Sequence, residues 1–284
     1  MRSVTGLELL ARTVLAGIFV GGNRSQKSGA GLEFNQYRSY QPGDDIRLLD
    51  WKMYARSDRY YIKEAELESN ITTRILLDTS ASMAHQDGQI NKLDYARGLA
   101  ACLAYLAFSQ GDAIGLYAIN DAKISQVMPR QDKSQLGKIL YDLVKVEPKG
   151  KFPQKNSENP LQIGRGKELI IFISDLYQAD EEIMKVIKRL SGRRHETIVF
   201  HIMGGNEMNF SYDGIVTFQD LESGEKVKIN TALPRDAYQA LLNEYLDAIK
   251  KELLQMNVSY NLFEMHHTYH DALRNFLMRR MRLL

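Results

Sequence analysis

The chain has little cysteine and little tryptophan: one of each in 284 residues, with six prolines. A single cysteine, Cys102, excludes an internal disulfide framework and a cysteine-rich zinc site, and it fits a reducing compartment. Long apolar runs are missing too. The most apolar early stretch, Leu9 to Val20, is broken by Arg12, falls short of the ~20 residues that span a bilayer, and precedes no small-residue cleavage pattern. The expectation is a cytoplasmic protein with no integral membrane segment, peripheral membrane contact being left open. Nor does charge of one sign accumulate: 37 basic residues face 35 acidic ones, a net charge of +2. Proteins that coat nucleic acid usually carry a strongly basic domain, so no nucleic-acid partner is expected. There is no internal repeat and no phosphate loop, because Gly164-x-Gly166 before Lys167 lacks the required spacing. The chain is not itself an ATPase. His266 and His270 are four apart, but His267, Thr268 and Tyr269 between them do not make a zinc-binding H-E-x-x-H helix.

What is present is a patterned, core-forming sequence. Leu7, Leu10, Val14 and Ile18 recur at helical spacing and predict an amphipathic helix packed on the core. Gly29-Ala30-Gly31 and Pro42-Gly43 then mark turns around a segment rich in tyrosine and arginine that holds Trp51. From residue 72 the texture becomes regular. Short apolar runs, Arg74 to Asp78, Ala113 to Ile119, Glu168 to Ser174, Thr197 to Met203 and Val258 to Phe263, alternate with helical patterns. One helix carries Leu93, Ala96, Ala100, Leu103 and Ala107, with Cys102 as a small buried hydrophobe. Another starts at Pro234, a favourable first-turn residue. Ile215 to Phe218 and Lys226 to Ile229 flank a turn at Ser223-Gly224. Strands alternating with amphipathic helices predict an α/β fold, a Rossmann-like, mostly parallel sheet covered on both faces. The domain expectation is an N-terminal helix and β-rich segment over residues 1–70 and the sheet domain over 71–284.

In such sheets ligands bind beyond the carboxyl ends of the strands, and two strand ends carry chemistry. One reads Asp78-Thr79-Ser80-Ala81-Ser82, a D-x-S-x-S pattern. The other closes at Ser174-Asp175. Two carboxylates with neighbouring hydroxyls suit a hard cation, and magnesium takes oxygen ligands while using only one or two carboxylates.

These residues resemble the metal-ion-dependent adhesion site of von Willebrand factor type A domains. The upstream string sharpens the likeness: Gly29-x-Gly31-x-Glu33-Phe34, then Arg38-x-Tyr40-x-Pro42-Gly43-Asp44-Asp45-x-Arg47, Asp50-Trp51 and Ala55-Arg56. With Leu93-Asp94-Tyr95-Ala96, Gly111-Asp112-x-x-Gly115-Leu116, Phe218-x-Asp220 and Phe276-Leu277-x-x-Arg279, it resembles the bacterial domain-of-unknown-function family number 58 over nearly the whole chain. The resemblance implies a von Willebrand factor A-type sheet with a small N-terminal β-rich subdomain. It implies Mg2+, with Mn2+ or Ca2+ as alternatives, at Asp78, Ser80, Ser82 and Asp175. It implies action beside a MoxR-type AAA+ ATPase or a client protein, in chaperone-like maturation or metal insertion. The adhesion motif also has a threonine between its two aspartates. This chain has none between Thr79 and Thr197, and Ser157 is the nearest substitute.

The leading expectation is a non-enzymatic interaction module whose metal accepts a partner's carboxylate. The alternative is a metal-dependent hydrolase or phosphatase, with His85 the nearest candidate base. Against it, the D-x-D pair of aspartate-based phosphatases is absent, since position 80 is serine. Arg38, Asp44, Asp45, Arg47, Asp50 and Arg56 are read as ion pairs and turns within the N-terminal segment, with Trp51 as a packing anchor.

Overall fold

The computed structural model describes residues 3–22, 36–40, 49, 51–64, 71–121, 124–153, 166–177, 181–192, 195–210, 212, 214–230 and 235–281. They fall into two compact bodies, Asn23–Asn70 and the remainder, Met1–Gly22 with Ile71–Leu284. The chain opens with helix α1 (Val4–Gly22), whose Leu7, Ala11, Val14 and Leu15 are buried. That is the apolar face expected from the spacing.

The smaller body contains strand β1 (Gln36–Ser39), helix α2 (Trp51–Ser57) and strand β2 (Tyr61–Glu64). The two strands pair antiparallel. Tyr54 stacks on Tyr60 at 4.5 Å between ring centroids. Trp51 meets the edge of Tyr54 at 6.3 Å and is 59% exposed, so it is a surface residue rather than the expected anchor. Most of the expected ion-pair block, Arg38 through Asp50, lies outside the described residues or side chains.

The larger body continues with β3 (Thr72–Asp78), a 3-10 turn at Ala81–Ala84, the short hairpin β4 (Gln86–Asp87) and β5 (Ile90–Asn91), and α3 (Lys92–Ser109). Then come β6 (Ala113–Ile119), β7 (Ile124–Arg130), α4 (Gln135–Lys145), β8 (Glu168–Ser174), α5 (Glu182–Leu190) and β9 (His195–Met203). It closes with α6 (Gly205–Asn209), the hairpin β10 (Ile215–Gln219) and β11 (Lys226–Asn230), α7 (Arg235–Gln255), β12 (Ser259–Glu264) and α8 (Tyr269–Met281).

Among the described residues the main sheet has six strands in the order β12-β9-β8-β3-β6-β7. All neighbours are parallel except β6 and β7. This is a Rossmann-like sheet of the von Willebrand factor A type. Side chains of a strand alternate between faces, and β3 shows it. Ile75 and Leu77 join a core with residues of α1, α3, α4 and α8, whereas Leu76 joins a second core with α5 and α7. Helix α3 is buried on nearly all sides, Tyr95, Leu99 and Cys102 included, because helices as well as the sheet cover it. That crowding explains Gly98: a Cβ there would come within 2.5 Å of the Tyr269 ring. Pro129 sits on the edge strand β7, where a missing N–H donor costs no ladder bond.

Candidate functional site

Strands β3 and β8 are adjacent and parallel, with Leu77 opposite Ile173. Their ends therefore bring Asp78 and Asp175 to the same edge of the sheet. The chain turns to β6 on one side of β3 and to β8 on the other. That makes this edge a topological switch point, where open α/β sheets form their crevice.

Hydrogen bonds run continuously across the edge. Asp78 Oδ1 accepts the Ser80 amide at 2.9 Å, and its Oδ2 accepts the Ser174 hydroxyl at 2.6 Å. The hydroxyls of Ser80 and Ser82 are 2.9 Å apart. Ser82 Oγ donates to Asp175 Oδ1 at 3.1 Å, which also accepts the Tyr177 amide at 3.2 Å. The four residues singled out by the D-x-S-x-S pattern and the second strand end thus come together.

The charge that answers Asp175 comes from Lys92, the first residue of α3. Its Nζ donates to Asp175 Oδ2 at 2.9 Å and to Glu207 Oε1 at 2.8 Å, with the lysine itself 5% exposed. Burial would lower its pKa, but the two carboxylates outweigh burial and raise it, so it stays an ammonium. Burial would likewise raise Asp175, yet Lys92 draws it below the usual carboxylate range. Asp78 has no such cation among the described residues. Desolvation, then repulsion from Asp175, pushes its carboxyl up to about 7. His201 lies beneath the site, and burial brings its imidazole down to about 4, leaving it neutral near pH 7.

This arrangement overturns the expectation of Mg2+, Mn2+ or Ca2+ held by Asp78, Ser80, Ser82 and Asp175. Among the described residues no group of three or more His, Cys, Asp or Glu is placed to hold a metal ion. The physical reason lies in the donor set. One of its two carboxylates is already neutralised by a buried ammonium, and the other is pushed toward its protonated form. A divalent ion would also have to sit beside the Lys92 charge. Ser157, the proposed fifth ligand, lies outside the described residues.

Above this floor is a cleft of about 440 Å³ whose lining includes Lys92, Asp175, Tyr177, Glu207, Asp220 and Tyr245. Glu207 Oε2 accepts the Gly204 amide at 2.7 Å. Asp87 accepts the Gly205 amide at 2.5 Å, tying the β4–β5 hairpin to α6. His85, the candidate base, faces Asn206 Oδ1 at 3.1 Å and Glu207 at 3.8 Å. On the far wall the Tyr177 hydroxyl donates to Asp220 Oδ2 at 2.7 Å.

Sequence reasoning missed Lys92, Glu207 and Tyr177. A signal existed for Lys92. Asn91 caps α3 by accepting the Asp94 amide at 2.7 Å, which puts a lysine at the positive end of a helix dipole. Cations are disfavoured there, so a lysine in that place calls for a carboxylate. Cys102 behaves as expected: it is buried, and desolvation pushes its thiol up to about 12.

A family model described as "Protein of unknown function DUF58" matches residues 36–245. Uncharacterized proteins of Mycobacterium bovis and Mycobacterium tuberculosis are each 25% identical over 246 residues, covering 82% of this chain and 75% of their own length. Among solved structures, the conserved hypothetical protein BatB of Bacteroides thetaiotaomicron is 16% identical, covering 75% of this chain and 99% of its own, with a TM-score of 0.46. An aerotolerance-related membrane protein of Bacteroides fragilis is 18% identical, covering 75% and 100%, with a TM-score of 0.47. In this chain no helix among the described residues is long and apolar enough to cross a membrane.

Proposed function

The chain belongs to the DUF58 family, and on that premise we propose that it is a non-enzymatic protein-interaction module whose contact surface is the cleft at the carboxyl edge of the sheet. Asp78, Ser80, Ser82 and Asp175 form its floor and Lys92 its built-in cation. The observation that carries this reading is the pairing of charge in the cleft. Lys92 is held by two carboxylates at 2.9 and 2.8 Å, and Tyr177 is bonded to Asp220. Groups locked in this way hold a shape and a potential for recognition. The rim also exposes Tyr177, Leu221 and Tyr245, and large apolar groups gathered at an exposed polar site favour protein contact. The partner implied by the family resemblance is a MoxR-type AAA+ ATPase or its client, with a role in chaperone-like maturation or metal insertion.

The test is affinity capture from the source bacterium in EDTA, with and without ATP. It compares the wild-type chain with the double substitution Leu221→Asp, Tyr245→Asp. The expected result is a discrete set of partners, an AAA+ ATPase among them, retained in EDTA by the wild type and lost by a variant whose circular dichroism is unchanged. Equal capture by both proteins would remove the cleft from the contact surface.

A further inference from the structure

We propose that this cleft receives a lysine or arginine side chain, flanked by an apolar residue, from a segment of the partner protein; the proposal rests on reading this edge as the contact surface. It reverses the sign expected from the adhesion-site resemblance, in which the partner supplies a carboxylate.

The charge balance of the cleft is the first argument. Asp175, Glu207 and Asp220 line it against the single ammonium of Lys92. That ammonium is already engaged by Asp175 and Glu207. Among the described residues Asp220 is held by neutral donors, including the Tyr177 hydroxyl at 2.7 Å and the amides of Glu222 and Ser223 at 2.7 and 3.1 Å. Burial tends to raise its pKa, but those bonds win and bring it down to about 2. Asp220 is therefore a stable anion with no ion-pair partner among the described residues. His201 adds no positive charge near pH 7, since burial keeps it neutral.

The turn beside the cleft gives an independent sign of unmet demand. Glu222 Oε1 is enclosed and has no hydrogen-bond partner among the described residues. Enclosed acceptors of this kind are normally satisfied. Burial first, then Asp78, Asp175 and Asp220, raises this carboxyl to about 7, against the opposing pull of Lys151.

The walls select the rest of the ligand. Tyr177, Leu221 and Tyr245 are each more than two-fifths exposed, and Leu241, one turn before Tyr245 on α7, is 66% exposed. Lysine and arginine lay their aliphatic stems along such surfaces while the charged head stays polar, and aromatic faces attract the cation itself. A neutral apolar segment would leave the carboxylates uncovered. An acidic segment would be repelled.

Amide NMR titrations of the full chain in EDTA test this with three peptides that differ at one position: Gly-Leu-Lys-Leu-Gly and its glutamate and norleucine counterparts. The lysine peptide should bind about tenfold or more tightly than either counterpart, a difference of about 1.4 kcal/mol, and should weaken as salt is raised. Its shifts should centre on residues 219–222. Asp220→Asn should weaken it by a similar factor. Leu221→Ser, an exposed change, should also weaken it and serves as the second variant if the first does not fold. Equal or stronger binding of the glutamate peptide would overturn the proposal and leave the contact surface standing. Failure of all three peptides, with capture still lost in the Leu221→Asp, Tyr245→Asp protein, would also overturn the basic-segment reading alone. Capture unaffected by that double substitution would remove the underlying reading.

Discussion

Strand β8 meets a buried ion pair at each end, and the two are built differently. At the amino end Glu168 accepts two bonds from the Arg74 guanidinium, at 2.7 and 3.0 Å, while Arg74 also donates to the Tyr117 hydroxyl at 2.5 Å. One planar fork meets one carboxylate in a bidentate pair, and both residues are at most 7% exposed. Just past the carboxyl end, Asp175 shares a lysine with Glu207, whose side chain is 24% exposed. Here one cation serves two anions, and the pair borders an open cleft. The amino-end pair is bidentate and buried, as suits a structural tie. The carboxyl-end pair leaves negative charge over and space beside it, as suits a surface that meets something else.

The largest effect expected is therefore at the closed end. Arg74→Met should destabilise the protein toward the upper part of the ~3–5 kcal/mol range for stranding a buried charge, as read from urea unfolding. Adding Glu168→Met should recover most of the loss, since replacing a whole buried pair with apolar groups is often near neutral. Lys92→Met should cost less, about 3 kcal/mol, because water entering the cleft can solvate Asp175 and Glu207. If Lys92→Met proved the costlier change, the distinction between a closed and an open pair would fail.

The third effect depends on pH. Asp78 has its folded pKa raised to about 7, against ~3.9 in an unfolded chain. Its contribution is thus fully present below about pH 4 and is lost as pH rises through 7. Asp78→Asn removes that loss. Its stability relative to wild type should grow from about pH 4 to pH 7 and then level off. Asp175 has the opposite sign: held low in the fold, it stabilises above ~3.9 and its share disappears as pH falls. Thermal melts across this range that run parallel for the two proteins would contradict the desolvated state of Asp78.

The smallest effect is none. Millimolar Mg2+ should leave the wild-type melting temperature where EDTA leaves it. A ligand present at 100 times its Kd adds about 2.7 kcal/mol, so a metal site of that strength would be plain in the same melts.

Much of this arrangement was legible from residue patterns. The ELIIFIS run ending at Ser174 and the run ending at Asp78 announced two buried parallel strands, and parallel neighbours put their ends on one edge. The spacing of Leu93, Ala96, Ala100, Leu103 and Ala107 marked α3. The metal was misjudged because D-x-S-x-S states which oxygens stand near a strand end but not which cation already lies there. Lys92 follows Ser82 by ten residues and Glu207 by sequence comes 115 residues after Lys92, so no local pattern joins them. Trp51 was misjudged because a large aromatic side chain suggests burial, while its neighbours in the smaller body leave it exposed.

The sequence by itself determined the parallel strands and the main helices of the larger body and their order, because hydrophobic periodicity is local and strand ends in a parallel sheet share an edge, but not the antiparallel edge strand β7. Only the tertiary structure decided the charge of that edge. It brought the ammonium of Lys92 to within 2.9 Å of Asp175 and set Asp220 opposite with neutral donors around it among the described residues. Coulomb energies depend on distance and burial, and neither is written in the order of the residues.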